Sequence, residues 1–293
     1  TTRSRNKISE SENTMNLENT VKKASQTLKK HKIHSHELDA QIILSDIMGI
    51  KREFLITNNE KNISEKILKK YDIAIKRRIK REPIAYIIGK REFWSQNFKV
   101  NYSTLIPRPE SELMVYKLIS YFKNKKIHIL DIGTGSGCIL LSLLKELYLS
   151  RGIGIDISSA AVKTAQLNSK KLNLFNRSKF KVVGIDNFNF GKYDLIVSNP
   201  PYIALKDMKN LSKDILNYEP LTALKGGLDG LDLIKKVIYK SKHLLKANGL
   251  LGIEVGTNQY FKVLNILKKN GFRELHKEYD CNRNVRCIIS TKT

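Results

Sequence analysis

The sequence predicts an α/β fold, in which a mostly parallel sheet is covered by helices on both faces and closed by an antiparallel hairpin, after a small helical domain. From Lys126 onward, short apolar runs alternate with helical patterns, which is typical of parallel strands joined by helices. The first hundred residues instead carry apolar side chains at helical spacing. Two strand-like runs near the end, Phe272–His276 and Val285–Ser290, suit a closing hairpin.

Length and composition indicate a globular protein of two domains. The chain has 293 residues, of which 41% are apolar, and one domain takes roughly 150 residues. We expect a flexible tail at 1–15, a helical domain at 16–90, a hairpin linker at 91–106 and the α/β domain at 107–293. The tail lacks the apolar stretch of a signal peptide, and Met15 fits a natural start. Glu10 and Glu12 argue against an organelle-targeting leader.

Cysteine usage excludes a disulfide scaffold. The three cysteines, Cys138, Cys281 and Cys287, have no C-x-x-C spacing, so a zinc site built on thiolates is not expected either. The longest apolar region, 127–144, contains Asp131 and three glycines, which suits a buried strand and helix better than a membrane span. We therefore expect a cytoplasmic protein, and we expect a monomer.

The net charge is strongly positive but does not identify a partner. The chain has 53 basic and 28 acidic residues, for a formal charge of +25. Of the basic residues, 40 are Lys and 13 are Arg, whereas specific phosphate and base contacts favour Arg. Because the charge is spread along the chain, we expect only weak contact with an anionic partner such as the ribosome, a nucleic acid or an acidic protein.

The apolar pattern of the first domain predicts a bundle of three helices. Apolar side chains recur at helical spacing in three stretches. They are Leu17, Val21, Ala24 and Leu28, then Leu38, Ile42 and Ile47, then Ile67, Tyr71, Ile75 and Ile79. Ser35 and Ser64 can cap the second and third helices. Gly49 ends the second helix and Pro83 stops the third.

The remaining elements follow in order. The aromatic residues around Ser95-Gln96-Asn97 predict a hairpin over Glu92–Val100, and Pro109 begins a helix. The predicted strands are Ile127–Asp131, Gly152–Asp156, Lys179–Gly184, Tyr193–Ser198 and Leu250–Val255. The predicted helices between them are Cys138–Leu149, Ser159–Leu172 and Asp229–Lys246.

A glycine-rich loop follows the first of these strands and opens a helix. Its residues are Asp131, Ile132, Gly133, Thr134, Gly135, Ser136 and Gly137. Glycines allow a sharp turn and a close approach of a ligand to the backbone. Asp156 ends the next strand, 19 residues after Gly137, near the spacing expected for a carboxylate that accepts ribose hydroxyls. The order of elements favours a nucleoside-binding site over a simple tight turn.

The loop chemistry favours one nucleoside over another. Dinucleotide sites use G-x-G-x-x-G to hold a pyrophosphate, whereas this chain has G-x-G-x-G after Asp131. A carboxylate beside the loop would repel pyrophosphate and would suit a cationic ligand. S-adenosylmethionine, with a sulfonium and an ammonium group, is therefore favoured over NAD, although the pattern alone does not decide between them.

A second polar cluster, Asn199-Pro200-Pro201-Tyr202, follows the fourth strand of the predicted sheet. Ligands of open α/β sheets bind beyond the carboxyl ends of the strands, so this cluster should lie beside the glycine loop. Asn199 offers a side-chain carbonyl, Pro200 a backbone carbonyl and Tyr202 a flat wall. Such an arrangement can hold a planar NH2 group with two acceptors. A rigid turn with a capping Asn is the alternative interpretation.

At these residues the chain resembles a known family. Asp131–Gly137 with Asp156 is similar to the cofactor motif of class I S-adenosylmethionine-dependent methyltransferases, and Asn199–Tyr202 resembles the signature of those that methylate a planar NH2 nitrogen. Four further stretches resemble the peptide chain release factor glutamine methyltransferases. They are Arg81–Ile87, Arg91–Trp94, Ile106–Glu110 and Tyr218–Gly230. The resemblance begins near Leu17, and the glycine loop is its least specific part.

The resemblance implies a helical N-terminal domain for substrate recognition, a Rossmann-like catalytic domain, and N5-methylation of the Gln in the Gly-Gly-Gln motif of class 1 release factors. It also implies that Asp186 and Asn187 contact the adenine. Asn187 stands where relatives carry an aromatic residue, so Phe188 is the expected replacement for stacking. Catalysis is expected from Asn199, Pro200 and Tyr202, with Pro201 also contacting substrate.

Several single residues leave alternatives open. Arg108 either anchors a substrate carbonyl or pairs with Glu110, and Glu254 is either solvated or lines the cleft. Cys138 is expected to be a small core residue. The cluster of His31, His34 and His36 lacks a partnering carboxylate or thiol set, so no metal is expected.

These residues imply a mechanism based on positioning. An amide nitrogen is a weak nucleophile, and two carbonyl acceptors can aim it at the methyl group. Proton loss can follow transfer, so no strong general base is required. The rivals are methylation of an exocyclic amine on DNA adenine or ribosomal RNA, methylation of a glutamine of a ribosomal protein, and a basic RNA-binding module without catalysis.

Overall fold

The computed structural model describes residues 16–293, which fall into two compact units, one ending at Ile88 and the other spanning Gly89–Thr293. The tail predicted at 1–15 lies outside the described residues. The predicted hairpin is present as β1 (Lys90–Phe93) and β2 (Gln96–Lys99). It is grouped with the second unit, whereas the sequence placed it in a linker at 91–106.

Within residues 16–88, the first unit is built from five helices. They are α1 (Leu17–Lys30), α2 (His36–Met48), α3 (Arg52–Thr57), α4 (Glu65–Ile79) and α5 (Ile84–Ile88). The stripes predicted for α1 and α4 are confirmed, since all their members belong to one apolar cluster. The short helices α3 and α5 were not predicted.

The inner face predicted for α2 is only partly confirmed, because Ile47 packs against the apolar cluster of this unit but Leu38 does not. Leu38 is 43% exposed, whereas Ala40, Ile43 and Leu44 are fully buried. The helix is rotated because Asp39 also faces inward, where its carboxylate accepts a hydrogen bond of 2.7 Å from Nε of Arg78 on α4. The apolar pattern alone did not show that a charged residue belongs to the buried face, where the ion pair offsets part of the cost of burying its charge.

The second unit continues as an alternation of helices and strands. After the hairpin, it contains α6 (Glu110–Phe122), β3 (His128–Ile132), α7 (Cys138–Glu146), β4 (Arg151–Asp156), α8 (Ser159–Lys171), β5 (Ser178–Val182), β6 (Tyr193–Ser198), α9 (Lys213–Tyr218), α10 (Asp232–Leu244), β7 (Leu245–Glu254), α11 (Tyr260–Lys269), β8 (Phe272–Tyr279) and β9 (Val285–Lys292). Short 3-10 turns occupy Ile185–Asn187, Leu205–Asn210 and Leu221–Ala223.

Seven strands form one sheet in the order β5-β4-β3-β6-β7-β9-β8. Strands β3 to β7 pair in parallel, and β9 is antiparallel to both β7 and β8. This confirms the predicted Rossmann-like sheet with a closing antiparallel hairpin. Strand order reverses between β3 and β6, whose last residues Ile132 and Ser198 are paired. In open α/β sheets such a switch point is where ligands bind.

Both faces of the sheet are buried, as parallel strands require. Along β6, Leu195 and Val197 point into a cluster shared with α6 and α7. Ile196 points into the opposite cluster, shared with α10 and α11. In the part of the chain that the structure covers, no helix has both the length and the apolar character needed to cross a membrane. The two covered faces leave the strand ends as the open edge of the sheet.

Candidate active site

A cleft of about 480 Å³ opens at the carboxyl ends of β3, β4 and β6. It has two ends. One is formed by the glycine loop, the end of β4 and apolar side chains of α10. The other is formed by Asn199–Pro201, by residues between Ser103 and Ser111, and by residues between Pro220 and Lys225. The structure therefore brings the two predicted clusters to one cavity.

The glycine loop is held in place by backbone contacts to β4. The backbone N–H groups of Gly133 and Thr134 donate to the carbonyl of Ile155, at 2.9 and 3.0 Å. Gly133 and Gly135 have φ of 74° and 55°, a region that only glycine enters readily. Gly133 to Ser136 line the cleft. Gly137 does not, and a Cβ there would press on Ala165 at 3.2 Å, so it serves the packing of α7 on α8.

Asp131 lies buried beneath the loop. The hydroxyl of Thr134 donates to Oδ2 of Asp131 at 2.7 Å, while Oδ1 has no partner among the described residues. Burial is the largest cause that raises the pKa of Asp131, to about 7, and the nearby Asp156 adds to the rise. Asp131 is 1% exposed and is not part of the cleft lining, so the negative charge of its unpaired oxygen favours a cationic ligand from beneath the loop. The residues present thus fit S-adenosylmethionine better than a pyrophosphate.

Asp156 lines the cleft with both carboxylate oxygens already engaged. Oδ2 accepts from the backbone N–H of Gly135 and Oδ1 from that of Ser158, each at 2.9 Å. A carboxylate oxygen has more than one lone pair, so a ribose hydroxyl can still be accepted. The contact to Gly135 was not foreseen from the sequence, and it makes Asp156 a support of the loop.

The nucleoside end of the cleft is aliphatic. Its lining includes Ile157, Val183, Ile185, Leu233 and Val237. Ile157 is 66% exposed, so it offers a free apolar surface on which a flat base can lie. No aromatic side chain of the described residues is part of this lining.

Three residues expected at the adenine lie elsewhere. Neither Asp186 nor Asn187 is part of the cleft lining, and Asp186 instead pairs with Lys236 at the surface, at 2.6 Å. Phe188 is 4% exposed and packs in the core next to Tyr193. The cause is the 3-10 turn over these residues, which directs Ile185 inward and its neighbours outward. The stacking role expected of Phe188 is therefore wrong.

Asn199, Pro200 and Pro201 line the other end of the cleft. The side-chain NH2 of Asn199 donates to Oγ of Ser111 at 3.1 Å, and the Ser111 hydroxyl donates to Oε2 of Glu254. No group in the described chain donates to Oδ1 of Asn199. Its carbonyl oxygen is thus the atom that Asn199 can offer to a ligand. Ser111 was not predicted from the sequence.

Tyr202 does not form the flat wall that was expected. It is absent from the cleft lining, and its hydroxyl donates to Oε1 of Glu254 at 3.2 Å. The guanidinium of Arg286 donates to the same hydroxyl at 3.0 Å and lies 5.6 Å from the ring centre. These contacts hold the ring of Tyr202 away from the surface of the cleft.

Glu254 is 1% exposed and, like Tyr202, lies outside the cleft lining. Neither alternative for this residue holds, because it is neither solvated nor part of the cleft surface. Burial raises the pKa of Glu254, and the hydrogen bond from Ser111 and the nearby Arg286 oppose that rise. The carboxyl group therefore lies outside the cavity and is connected to Asn199 through Ser111.

An ion pair joins the two walls of the substrate end. Nη2 of Arg108 donates to Oε1 of Glu219 at 2.6 Å, and the backbone N–H of Ile106 donates to the other oxygen at 3.2 Å. Arg108 thus pairs with Glu219 and not with Glu110. From the sequence, the segments that contain Arg108 and Glu219 were identified only by their resemblance to the family.

The segment after Glu219 also contacts the backbone of the turn that begins at Asn199. A Cβ on Gly226 would lie 2.8 Å from the carbonyl oxygen of Pro201, a distance that only glycine permits. The N–H of Ile203 donates to Leu224, and that of Gly226 donates to Ile203, at 3.1 and 2.9 Å. The turn is therefore fixed from both sides.

The chemistry of the lining is that of a binding and orienting site. Asp156 is its one carboxylate in the described chain, and the lining contains no histidine there. Asn199 and Pro200, each of which has a carbonyl group, line the same cleft as the glycine loop. In residues 16–293 no group of three metal-ligating side chains is found. The arrangement can hold an NH2 group next to a nucleoside ligand.

Comparison with known proteins gives matches over both units. Residues 19–89 match the PrmC N-terminal domain family, and residues 123–251 match a methyltransferase domain family. A release factor glutamine methyltransferase of Buchnera aphidicola is 39% identical over 95% of this chain and 99% of its own length. One of Clostridium acetobutylicum is 36% identical, with the same coverage of 95% and 99%.

Solved structures support the fold. A methyltransferase of Pyrococcus furiosus matches with a TM-score of 0.51 at 16% identity, over 67% of this chain and 88% of that one. At this level of identity the match shows a shared methyltransferase fold, in agreement with the strand order of the second unit.

Proposed function

The chain belongs to the family of release factor glutamine methyltransferases, and we propose on this premise that it methylates N5 of the Gln in the Gly-Gly-Gln motif of class 1 peptide chain release factors. It is an S-adenosylmethionine-dependent protein glutamine methyltransferase that acts in translation termination. The observation that carries the site assignment is the placement of Asn199 and Pro200 in one cleft with the glycine loop.

The cofactor takes the end of the cleft beside the glycine loop in this proposal. Gly133, Thr134, Gly135 and Ser136 form its floor, and Asp156 faces the ribose. S-adenosylmethionine supplies the methyl group on a sulfonium. The buried Asp131 carboxylate favours the positive charge of this ligand, and the aliphatic surface around Ile157 receives the base.

The target amide is held from the other end. Oδ1 of Asn199 accepts one N–H of the glutamine side chain, and the backbone carbonyl of Pro200 accepts the other. Each acceptor favours the positive charge that grows on the nitrogen during transfer. Pro201 and the walls around Arg108 and Pro220 limit the motion of the side chain, which shortens the search for a reactive geometry.

The composition of the lining agrees with this mechanism. A neutral amide nitrogen becomes strongly acidic once it carries a fourth substituent, so its proton leaves to solvent without an assisting base. A strong general base is therefore not needed. The chain contributes orientation and charge stabilisation, and Asp156 is engaged by two backbone N–H groups.

We assign recognition of the whole release factor to the helical domain that the sequence predicts at residues 16–90. The family match over 19–89 supports a dedicated module there. We further assign the enzyme as a monomer of the cytoplasm, where release factors act. The basic surface would give weak contact with the ribosome or with nucleic acid.

One experiment tests the substrate. The protein is incubated with labelled S-adenosylmethionine and, in parallel, with a class 1 release factor, DNA, ribosomal RNA and ribosomal proteins. We expect label only in the release factor, and mass spectrometry should place the methyl group on the Gln of Gly-Gly-Gln. Methylated adenine or guanine with an unmodified release factor would refute the proposed substrate. Label in a ribosomal protein alone would favour methylation of a glutamine of a ribosomal protein.

A further inference from the structure

The side-chain amide of Asn199 could face the cleft with either its oxygen or its NH2 group. Its two ends, oxygen and NH2, have nearly the same shape, so packing alone does not decide which end faces the cleft. The proposed reaction needs the oxygen there, since an NH2 group would meet the substrate NH2 donor to donor. Some neighbour must therefore distinguish the two ends.

Ser111 on α6 contacts Asn199 and has the required property. It is 2% exposed, and its hydroxyl has a single proton, which goes to Oε2 of Glu254. Only lone pairs remain for Asn199, and these accept its NH2 group at 3.1 Å. In the reversed orientation, Oδ1 of Asn199 would face those lone pairs without a proton between them, which is unfavourable.

The direction of the Ser111 proton is itself determined by the next residues. Arg286 can only donate, and it donates to the hydroxyl of Tyr202 at 3.0 Å. The proton of Tyr202 therefore goes to Oε1 of Glu254, at 3.2 Å. Glu254 lies 3.9 Å from Arg286 and is 1% exposed. The hydrogen bonds thus converge on the carboxyl group of Glu254 from two sides, from Arg286 through Tyr202 and from Asn199 through Ser111.

We propose that Ser111 is a positioning residue, which, with Glu254 behind it, fixes the side-chain amide of Asn199 with its carbonyl oxygen toward the substrate. The inference rests on the proposed function for the identity of the acceptor group. It assigns a task to a buried carboxyl group that lies outside the cleft, and it explains why the Tyr202 hydroxyl is turned toward Glu254.

The competing explanation is that Ser111 only fills space between α6 and β7. The two explanations differ in a double-mutant cycle. If Ser111 acts through Asn199, its loss has no further effect once Asn199 is already Ala. If Ser111 acts by packing, the fold losses in kcat/KM of the two single variants multiply in the double variant.

The experiment compares Ser111→Ala, Asn199→Ala, the double variant and the wild type in methylation of a release factor. We expect Ser111→Ala to lower kcat/KM roughly tenfold, the scale of one lost hydrogen bond, with unchanged affinity for S-adenosylmethionine. In the Asn199→Ala background it should lower kcat/KM by less than twofold. Ser111→Thr keeps the hydroxyl and should recover most of the activity.

A matched control and a second variant complete the design. Ser241, on α10, is fully buried, and its hydroxyl has no hydrogen-bond partner among residues 16–293. Ser241→Ala therefore makes the same chemical change away from the cleft and should leave kcat/KM unchanged. If Ser111→Ala does not fold, Glu254→Gln serves instead. The new NH2 group can donate to Ser111 and so reverse the direction of that hydrogen bond. Glu254→Gln should also lower kcat/KM only when Asn199 is present.

Two results overturn the proposal, namely a Ser111→Ala enzyme as active as wild type, or losses that multiply in the double variant. Failure of the proposed function looks different. In that case the wild type itself leaves the release factor unmodified, and the cycle is run on whichever acceptor takes up the labelled methyl group.

Discussion

Arg108 and Glu219 meet at 2.6 Å and join the two walls of the substrate end of the cleft. The side chain of Glu219 is 1% exposed and that of Arg108 is 29% exposed. A carboxylate this deeply buried needs a partner, because an unpaired buried charge is costly. The pair therefore ties the segment of Arg108 to that of Glu219, 111 residues later.

Removing Arg108 should loosen both the fold and the site. Arg108→Ala leaves Glu219 buried without its charge partner, so we expect the free energy of unfolding to fall by about 1–3 kcal/mol. The double variant with Glu219→Gln should melt above Arg108→Ala, since no uncompensated charge remains. Lys235→Ala breaks an exposed pair with Asp229 and should change the melting temperature little. Equal melting of all three variants would contradict the role of the pair.

Asp156→Ala should weaken the binding of S-adenosylmethionine by about 1.5–3 kcal/mol, the usual scale for a hydrogen bond to a charged group. The loss combines the ribose contact with the support that Asp156 gives to Gly135. Calorimetry measures it. Asp186→Ala is the comparison, because Asp186 lies outside the cleft lining, and its effect should be much smaller. Equal losses would restore the sequence-based role of Asp186.

Asn199→Ala should separate catalysis from binding. The residue lies on a turn beyond a strand, so its truncation should keep the fold and the cofactor affinity. The rate should drop by roughly 10²–10³, as when one preorganised polar contact to a reacting group is lost. Single-turnover kinetics with saturating cofactor measures this. A normal rate would mean that another group orients the amide.

Asp131 should make the ligand-free protein less stable as pH rises. Its pKa is raised from 3.8 to about 7 in the fold, so the folded state retains a proton that the unfolded chain loses. Its contribution to stability is therefore full below pH 4 and declines up to about pH 7. Asp131→Asn should remove this dependence and raise the melting temperature at pH 8, while weakening cofactor binding. Thermal melts from pH 5 to 8 with and without cofactor test both effects.

Removal of the helical unit should separate recognition from chemistry. Every lining residue of the cleft lies between Ser103 and Val237, so a chain beginning at Gly89 should still bind S-adenosylmethionine. Methylation of an intact release factor should fall strongly, while that of a short Gly-Gly-Gln peptide should change little. Normal activity of the truncated enzyme on the intact factor would refute the assignment of recognition to this unit.

The sheet was predictable because each parallel strand is a short apolar run with a helical pattern after it. Cleft residues next to these strands, such as Asp156 and Asn199, were found for the same reason. Tyr202 and Phe188 were misplaced because the direction of a side chain depends on its partners. Those partners, such as Arg286 for Tyr202, come from segments that the local pattern does not connect. Ser111 was missed because a buried serine on a helix carries no signal of its own.

The polar contacts of the cleft span long stretches of chain. Ser111 and Glu254 are 143 residues apart, and Asn199 and Ser111 are 88 apart. Asn168 joins the hairpin residue Lys99, 69 positions earlier, to the backbone of Ser136. Closing such long loops costs entropy before any contact forms, which slows folding. A nascent chain therefore cannot form the contacts that hold Asn199 until β7 has emerged from the ribosome, 143 residues after Ser111.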